Sequence, residues 1–210
     1  MQASEPSRDC SLCPRLVAFR HEARARRPDW HNAPVPNFGP VDARLLIVGL
    51  APGMQGANRT GRPFTGDWAG DLLYETLLRF GFARGEYEER ADDTLELIDC
   101  RIVNGVRCVP PENKPTGDEI RRCRDFLSAS IAEMRRIRVV VALGRIAHET
   151  FLRSVGETPG RRGFAHGAQH RLGDLTLIDS YHCSRYNTNT GRLTPEMFRS
   201  VFDSARTLIG

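Results

Sequence analysis

Lysine is almost missing from this chain: Lys+Arg number 30, and Lys114 is the only lysine among them. Its cationic groups are therefore planar guanidinium forks, which suit phosphate recognition, although a genome rich in G and C would leave the same bias. Long apolar runs are missing too. No stretch approaches the ~20 residues that a membrane-spanning helix needs, and the N-terminus is polar, so no membrane is expected as partner and a cytoplasmic location is expected. No Gly-x-Gly-x-x-Gly follows a candidate strand and no Gly-Lys-Ser/Thr loop occurs, which excludes a dinucleotide-dependent dehydrogenase and a P-loop enzyme. There is no internal repeat and no low-complexity tract. What remains is a chain of 210 residues with ordinary composition, suited to one domain (1–210) with a sizeable core. The net charge of +4 permits a nucleic-acid partner without demanding one.

Four short apolar runs are present, at 45–50, 97–103, 138–143 and 175–181. Each reads as a strand buried on both faces. Between them lie segments of helical spacing, at 70–80, 118–136 and 144–152, with flanking helices at 14–26 and from Pro195 onward, the last capped by Thr194. In the helix at 118–136 the inward stripe is Ile120, Cys123, Leu127, Ile131 and Met134; in the last it is Met197, Val201, Ala205 and Leu208. Residues 1–9 are expected to be loose and 27–40 to run as a proline-rich connection. Residues 84–93 read as a solvated loop, and 156–171 as a basic loop or a hairpin. Alternation of this kind implies an α/β fold, a three-layer α/β/α sandwich around a mainly parallel four-stranded sheet.

The first strand ends in Ala51-Pro52-Gly53 and opens a loop with glycines at 53, 56, 61, 66 and 70. In open α/β sheets ligands lie past the carboxyl ends of parallel strands, and glycines let backbone amides approach them. Asn104 ends the second strand and His182 the last, so both are expected beside this loop. There are six cysteines. Cys10, Cys13, Cys108 and Cys123 form a Cys-x-x-Cys followed by a distant pair. Four thiolates at this spacing suit a structural zinc or a [4Fe-4S] cluster.

Two stretches carry a resemblance. Gly49-Leu50-Ala51-Pro52-Gly53 with Gly56-Ala57-Asn58-Arg59-Thr60-Gly61-Arg62-Pro63-Phe64-Thr65-Gly66-Asp67, and then His182-Cys183-Ser184-Arg185-Tyr186-Asn187-Thr188-Asn189-Thr190-Gly191-Arg192-Leu193-Thr194, resemble the two motifs of the B-type (family 5) uracil-DNA glycosylases. The resemblance implies the fold of that superfamily and removal of uracil and other deaminated bases, such as hypoxanthine, from DNA. Phe64 would stack on the extruded base, Asn104 would read its Watson–Crick edge, and His182 would face the carbonyl oxygen that gains charge. Ala51 stands where the better-known branch of the superfamily carries an aspartate, which leaves Asp67 to position water and stabilise the cationic sugar. Asp67 could equally be only a helix N-cap. Arg59, Arg62, Arg185 and Arg192 are expected to meet phosphates, and Tyr186 to fill the hole left by the flipped nucleotide. The resemblance also selects the [4Fe-4S] cluster over zinc. Cys183 departs from the family, which commonly has a small apolar residue or proline there. A non-catalytic, metal-stapled nucleic-acid binder and a free-nucleoside hydrolase remain as rival readings, and nothing requires more than a monomer.

Overall fold

Leu45–Gly49 (β1), Cys100–Asn104 (β4), Val139–Leu143 (β5) and Leu175–Ser180 (β7) pair in parallel in the order β4-β1-β5-β7. Because side chains alternate between faces, each run supplies both sides of one sheet. Leu45, Ile47, Val139, Val141 and Ile178 pack on one face against the helices Trp68–Arg79 (α3) and Pro195–Ile209 (α7). Leu46, Val48, Val140, Ala142 and Leu177 pack on the other against Gly117–Glu133 (α4) and Arg145–Ser154 (α5). The three-layer sandwich is thus built from the apolar runs alone. The computed structural model describes residues 3–210; the first two, which belong to the stretch expected to be loose, lie outside the described residues. No helix among the described residues is long and apolar enough to cross a membrane.

The sheet has five strands rather than four. Gln169–Leu172 (β6) joins antiparallel to β7 at the edge, through a turn at Gly173 with φ +64°. The segment at 156–171 is therefore the hairpin alternative. The second strand starts later than expected, at Cys100. Glu96–Leu97 (β3) instead pairs with Ala83–Arg84 (β2) in a separate ribbon, because Asp99 turns the chain with φ 52°. The Asp99 carboxylate accepts from the Arg44 backbone N–H and the Arg44 guanidinium, both at 2.7 Å, which holds that turn.

Three further expectations are corrected. Residues from Ser4 onward are docked rather than loose: the Ser4 carbonyl accepts from Ser130 Oγ (3.1 Å) and Arg107 Nη2 (3.3 Å). In the loop at 84–93 most residues are exposed as expected, and the expectation fails at Asp93, whose carboxylate is wholly buried. In α7, Leu208 is exposed and Ile209 is buried in its place, while Phe198, Val201, Phe202 and Ala205 fill the inner stripe.

Helix starts follow their caps. Thr116 and Glu119 form a reciprocal capping box on α4, and Thr194 accepts from Met197 N at 3.2 Å with Pro195 in the first turn of α7. Glu119 also accepts both arms of the Arg15 fork, at 2.8 and 2.7 Å, tying the N-terminal helix Pro14–Arg26 (α1) to α4.

Candidate active site

The carboxyl ends of β1, β4 and β7 open into one cleft of about 310 Å³. Ala51, Phe64, Asp67, Asn104, His182 and Arg185 all line it. Gly49 of β1 lies level with Asn104 of β4. A Cβ at Gly49 would strike Asn104 Oδ1 and come within 2.9 Å of the Phe64 ring, so glycine is required for the two side chains to occupy the same corner. Asn104 Oδ1 is buried and accepts no hydrogen bond among the described residues. An orphaned acceptor in a cleft is a group waiting for a donor.

Phe64 adopts φ 52°, an unfavourable value for an aromatic residue, and the loop around it enforces that value. Its carbonyl accepts from Tyr87 Oη at 3.3 Å and lies against Gly70, where any Cβ would collide with it. The result is a ring 5.9 Å from the His182 ring, tilted by 30°.

His182 is held through its backbone, whose carbonyl accepts from Asn187 Nδ2 at 2.8 Å. Burial pushes its imidazole down to about 4, so the ring is neutral near pH 7. A neutral imidazole donates one N–H without bringing a charge into the cleft.

Asp67 is a helix N-cap and also lines the cleft. Its backbone opens α3 as N-cap, with Oδ1 accepting from Ala69 N at 3.2 Å. Its other oxygen faces Gly53 and Gly56, so close that a Cβ on Gly56 would overlap it. Burial raises the carboxyl above the ordinary aspartate range, against the lowering pull of the Ala69 and Gly70 backbone N–H groups. Ala51 beside it offers only a methyl, as the sequence indicates.

The arginines divide. Arg62 does not reach solvent: it is 5% exposed, its fork donates to Asp93 at 2.6 and 2.7 Å, and its Nε donates to Thr65 Oγ1 at 2.8 Å. Phe38, Tyr74 and Tyr87 ring its guanidinium at 5.2 to 5.8 Å. The expected phosphate contact is instead a buried brace beneath the loop. Arg59, on the short helix Ala57–Thr60 (α2), is exposed and bridges the Gln55 and Gly66 carbonyls. Arg185 lies over the Trp68 ring at 5.6 Å and Arg192 over Tyr181 at 4.7 Å, both exposed. Arg192 lines a second hollow, of about 290 Å³, that shares His182 with the cleft and adds Arg145 and Phe164. Tyr186, on the helix Arg185–Asn189 (α6), is 71% exposed. Cys183 is buried and its thiol donates to the Ala69 carbonyl at 3.4 Å, fastening the chain after β7 to α3.

Trp68 was not singled out from the sequence, although it follows Asp67 directly. Its indole Nε1 donates to Thr188 Oγ1 at 2.9 Å, it lines the cleft, and it is 49% exposed. The wall behind His182 is also braced: His148 donates to Asp179 Oδ1 at 2.6 Å and to the Arg162 carbonyl at 3.0 Å, and His170 meets the other Asp179 oxygen at 3.0 Å. Two acceptors on one imidazole require both ring nitrogens to be protonated, and although burial opposes the charge, the Asp179 carboxylate raises His148 above its ordinary value.

Away from the cleft, Cys10, Cys13, Cys108 and Cys123 surround one small pocket floored by Leu16, Val106 and Phe126. Burial pushes Cys108 up to about 11 and Cys123 up to about 12. Arg20, 3% exposed and with no carboxylate partner among the described residues, donates to Cys108 Sγ at 3.6 Å and to the Cys10 carbonyl at 2.9 Å. The Arg107 N–H donates to Cys123 Sγ at 3.4 Å. Such N–H donors suit thiolate sulfurs. No three cysteine sulfurs among the described residues lie within 4.8 Å of one another. Four thiolates on one zinc, at about 2.3 Å each, would sit ~3.8 Å apart. Four thiols around one pocket are a soft donor set of the kind that holds iron or zinc. Cys100 and Cys183 lie elsewhere, in the core.

A family model described as the uracil DNA glycosylase superfamily matches residues 36–206. The type-5 uracil-DNA glycosylase of Thermus thermophilus is 46% identical over 208 residues, covering 96% of this chain and 94% of its own. That of Mycobacterium tuberculosis is 44% identical over 212 residues, covering 96% and 78%. The type-4 uracil-DNA glycosylase of Archaeoglobus fulgidus is 36% identical over 126 residues, 58% of this chain and 55% of its own. With its cleft at the strand ends, both motifs facing it and likeness of this extent, the chain belongs to the uracil DNA glycosylase superfamily and, within it, to the type-5 uracil-DNA glycosylases.

Proposed function

We propose that this chain, acting as one domain over residues 1–210, hydrolyses the N-glycosidic bond of uracil and other deaminated bases in DNA and leaves an abasic site. The observation that carries this reading is the convergence of Phe64, Asn104, His182 and Asp67 on one cleft. A base inside a duplex cannot reach such a cleft, so it must be flipped out, and Tyr186 is poised to fill the space it leaves. Phe64 stacks on the flipped base. The Asn104 amide, whose oxygen is orphaned without a ligand, pairs with the edge N–H of the base. As the bond breaks, its electrons go to the base, and the neutral His182 N–H donates to the carbonyl oxygen where that charge collects. The sugar is left cationic. Asp67, ionised, faces it and orients the water whose oxygen bonds to the anomeric carbon as one of its protons passes to the Asp67 carboxylate, while the departing base anion takes up a proton from solvent.

Ala51 leaves room beside the base, and this supports activity on hypoxanthine as well as on uracil. Cys10, Cys13, Cys108 and Cys123 would hold a [4Fe-4S] cluster, which when bound would staple α1 to α4; no step of the hydrolysis passes through it. Iron and sulfide in anaerobically purified protein, with brown colour, would support that assignment, and colourless protein carrying zinc would overturn it. Nothing in the reading requires more than a monomer.

The test is cleavage of end-labelled duplex oligonucleotides carrying one uracil or one hypoxanthine, followed by alkali to cut any abasic site. A cut at the modified position supports the glycosylase. Salt-dependent DNA binding without a cut would transfer the reading to a binding module, with the missing carboxylate at Ala51 as its physical reason. Cleavage confined to free nucleosides would point to a nucleoside hydrolase.

A further inference from the structure

We infer that Trp68 is a further aromatic contact to the DNA, beside Phe64 and Tyr186, stacking on a nucleotide next to the extruded one and so setting how tightly the strand is held at the cleft. This rests on the glycosylase reading above. Trp68 is the first residue of α3, immediately after Asp67, and lines the cleft. About half of its surface is open, where a tryptophan serving only as core would be covered. It is also held in place. Its Nε1 donates to Thr188 Oγ1 of α6 at 2.9 Å, across 120 residues of sequence, and the Arg185 guanidinium lies 5.6 Å from its ring centroid.

A large ring that is exposed yet immobilised has lost its conformational freedom before any ligand arrives, which is how aromatic platforms gain affinity at low entropic cost. The same α6 carries Tyr186, more exposed still. The two aromatics and Arg185, which has no carboxylate partner among the described residues, therefore form one surface of π-faces and a cation. Its chemistry fits successive bases of a nucleic-acid strand with the intervening phosphate, and stacking of this kind tolerates any sequence. On this basis Trp68 acts in holding the strand and Asp67 in the chemistry, though they are neighbours in the chain.

The chain has two tryptophans, Trp30 and Trp68, so a W30F background makes Trp68 the sole indole reporter. Two measurements are made on it: titration of its emission with an oligonucleotide carrying a non-cleavable tetrahydrofuran abasic analogue, single-stranded and duplex, with anisotropy recording binding, and steady-state kinetics of W68A and W68F on uracil-DNA. The inference expects Trp68 emission to be quenched on binding, KM to rise on the order of tenfold or more in W68A with kcat changed far less, and W68F to recover most of the loss. A merely structural Trp68 would lower stability and kcat and leave the emission unmoved. Binding seen by anisotropy with unaltered emission, and unaltered KM in a folded W68A, would overturn the inference while leaving the glycosylase in place. W30F protein that neither binds nor cuts uracil-DNA would overturn both.

Discussion

Arg62, in the loop after β1, and Arg185, at the start of α6, belong to the two motifs that meet at the cleft, and their surroundings differ completely. Arg62 is 5% exposed, forked onto a buried carboxylate and ringed by three aromatics. Arg185 is exposed, rests on one indole and has no carboxylate partner among the described residues. The difference teaches that one motif is a wall and the other an approach. The loop after β1 has to hold Phe64 in a left-handed conformation and aim Asp67, which demands internal bonding throughout. The segment after β7 has to deliver His182 and leave its remaining cations free.

If that contrast holds, breaking the Arg62–Asp93 pair should produce the largest stability effect. Removing one partner leaves the other charge buried and unpaired, at a cost of about 3–5 kcal/mol. R62L and D93N should each lower the urea midpoint by an amount corresponding to that range, and the folded fraction should keep the salt dependence of DNA binding unchanged. A salt slope that fell in R62L would mean that the buried guanidinium reaches DNA after all.

The next largest effect falls on the chemistry. Asn caps helices about as well as Asp, so D67N should leave α3 and the melting temperature nearly intact. Its single-turnover cleavage should nevertheless drop on the order of 10²-fold or more. The pH dependence carries the same assignment. Burial raises the Asp67 carboxyl, and protonation removes the charge that faces the sugar, so the rate should fall as pH drops through that raised value, above the limb of an ordinary aspartate. His182 becomes charged only near 4, so a limb that disappears in D67N belongs to Asp67. Residual activity of D67N should show no such limb. Full single-turnover activity in D67N would reduce Asp67 to a cap.

Gly49→Ala tests the corner where β1 and β4 end. The added methyl would strike Asn104 and Phe64 together, displacing both from the base. Cleavage should fall on the order of tenfold to a hundredfold, because displacements of about an ångström at a reacting centre have that scale. Hydrogen exchange across the sheet should be little changed, since Gly49 lies at the strand end.

How much of this was legible in the sequence depended on whether the deciding interaction was local. The parallel strands were legible because a doubly buried strand is an uninterrupted apolar run. The cleft residues were legible because strands end where apolar runs end, and Ala51, Asn104 and His182 stand at those ends. The edge strand β6 was read only as one of two options, since Gln169, His170, Arg171 and Leu172 alternate in exposure and resemble a loop. The start of β4 is not legible because Leu97 is as apolar as its successors, and only the turn at Asp99 separates them. Arg62 was out of reach: its partner is 31 residues away in a stretch that reads as solvated, so nothing near Arg62 announces the pairing. Trp68 was passed over for a related reason. An aromatic at a helix start looks like core until its exposure is known.

The smallest effect is the one that bears most directly on the approach surface. R185Q and R192Q each remove one exposed cation and no internal ion pair among the described residues. Melting temperatures should therefore move little, as surface substitutions away from special features usually do. If each guanidinium meets one phosphate, the slope of log K against log salt should flatten by about 0.9 for duplex DNA in each variant, and by about twice that in the double variant. Affinity should weaken for every sequence alike, because a phosphate contact carries no base information. A flattened slope in R185Q alone would confine the DNA path to the Trp68 side of His182 and leave Arg192, stacked on Tyr181, as a brace of the second hollow. An unchanged slope in both would remove the distinction between wall and approach on which the comparison of the two motifs depends.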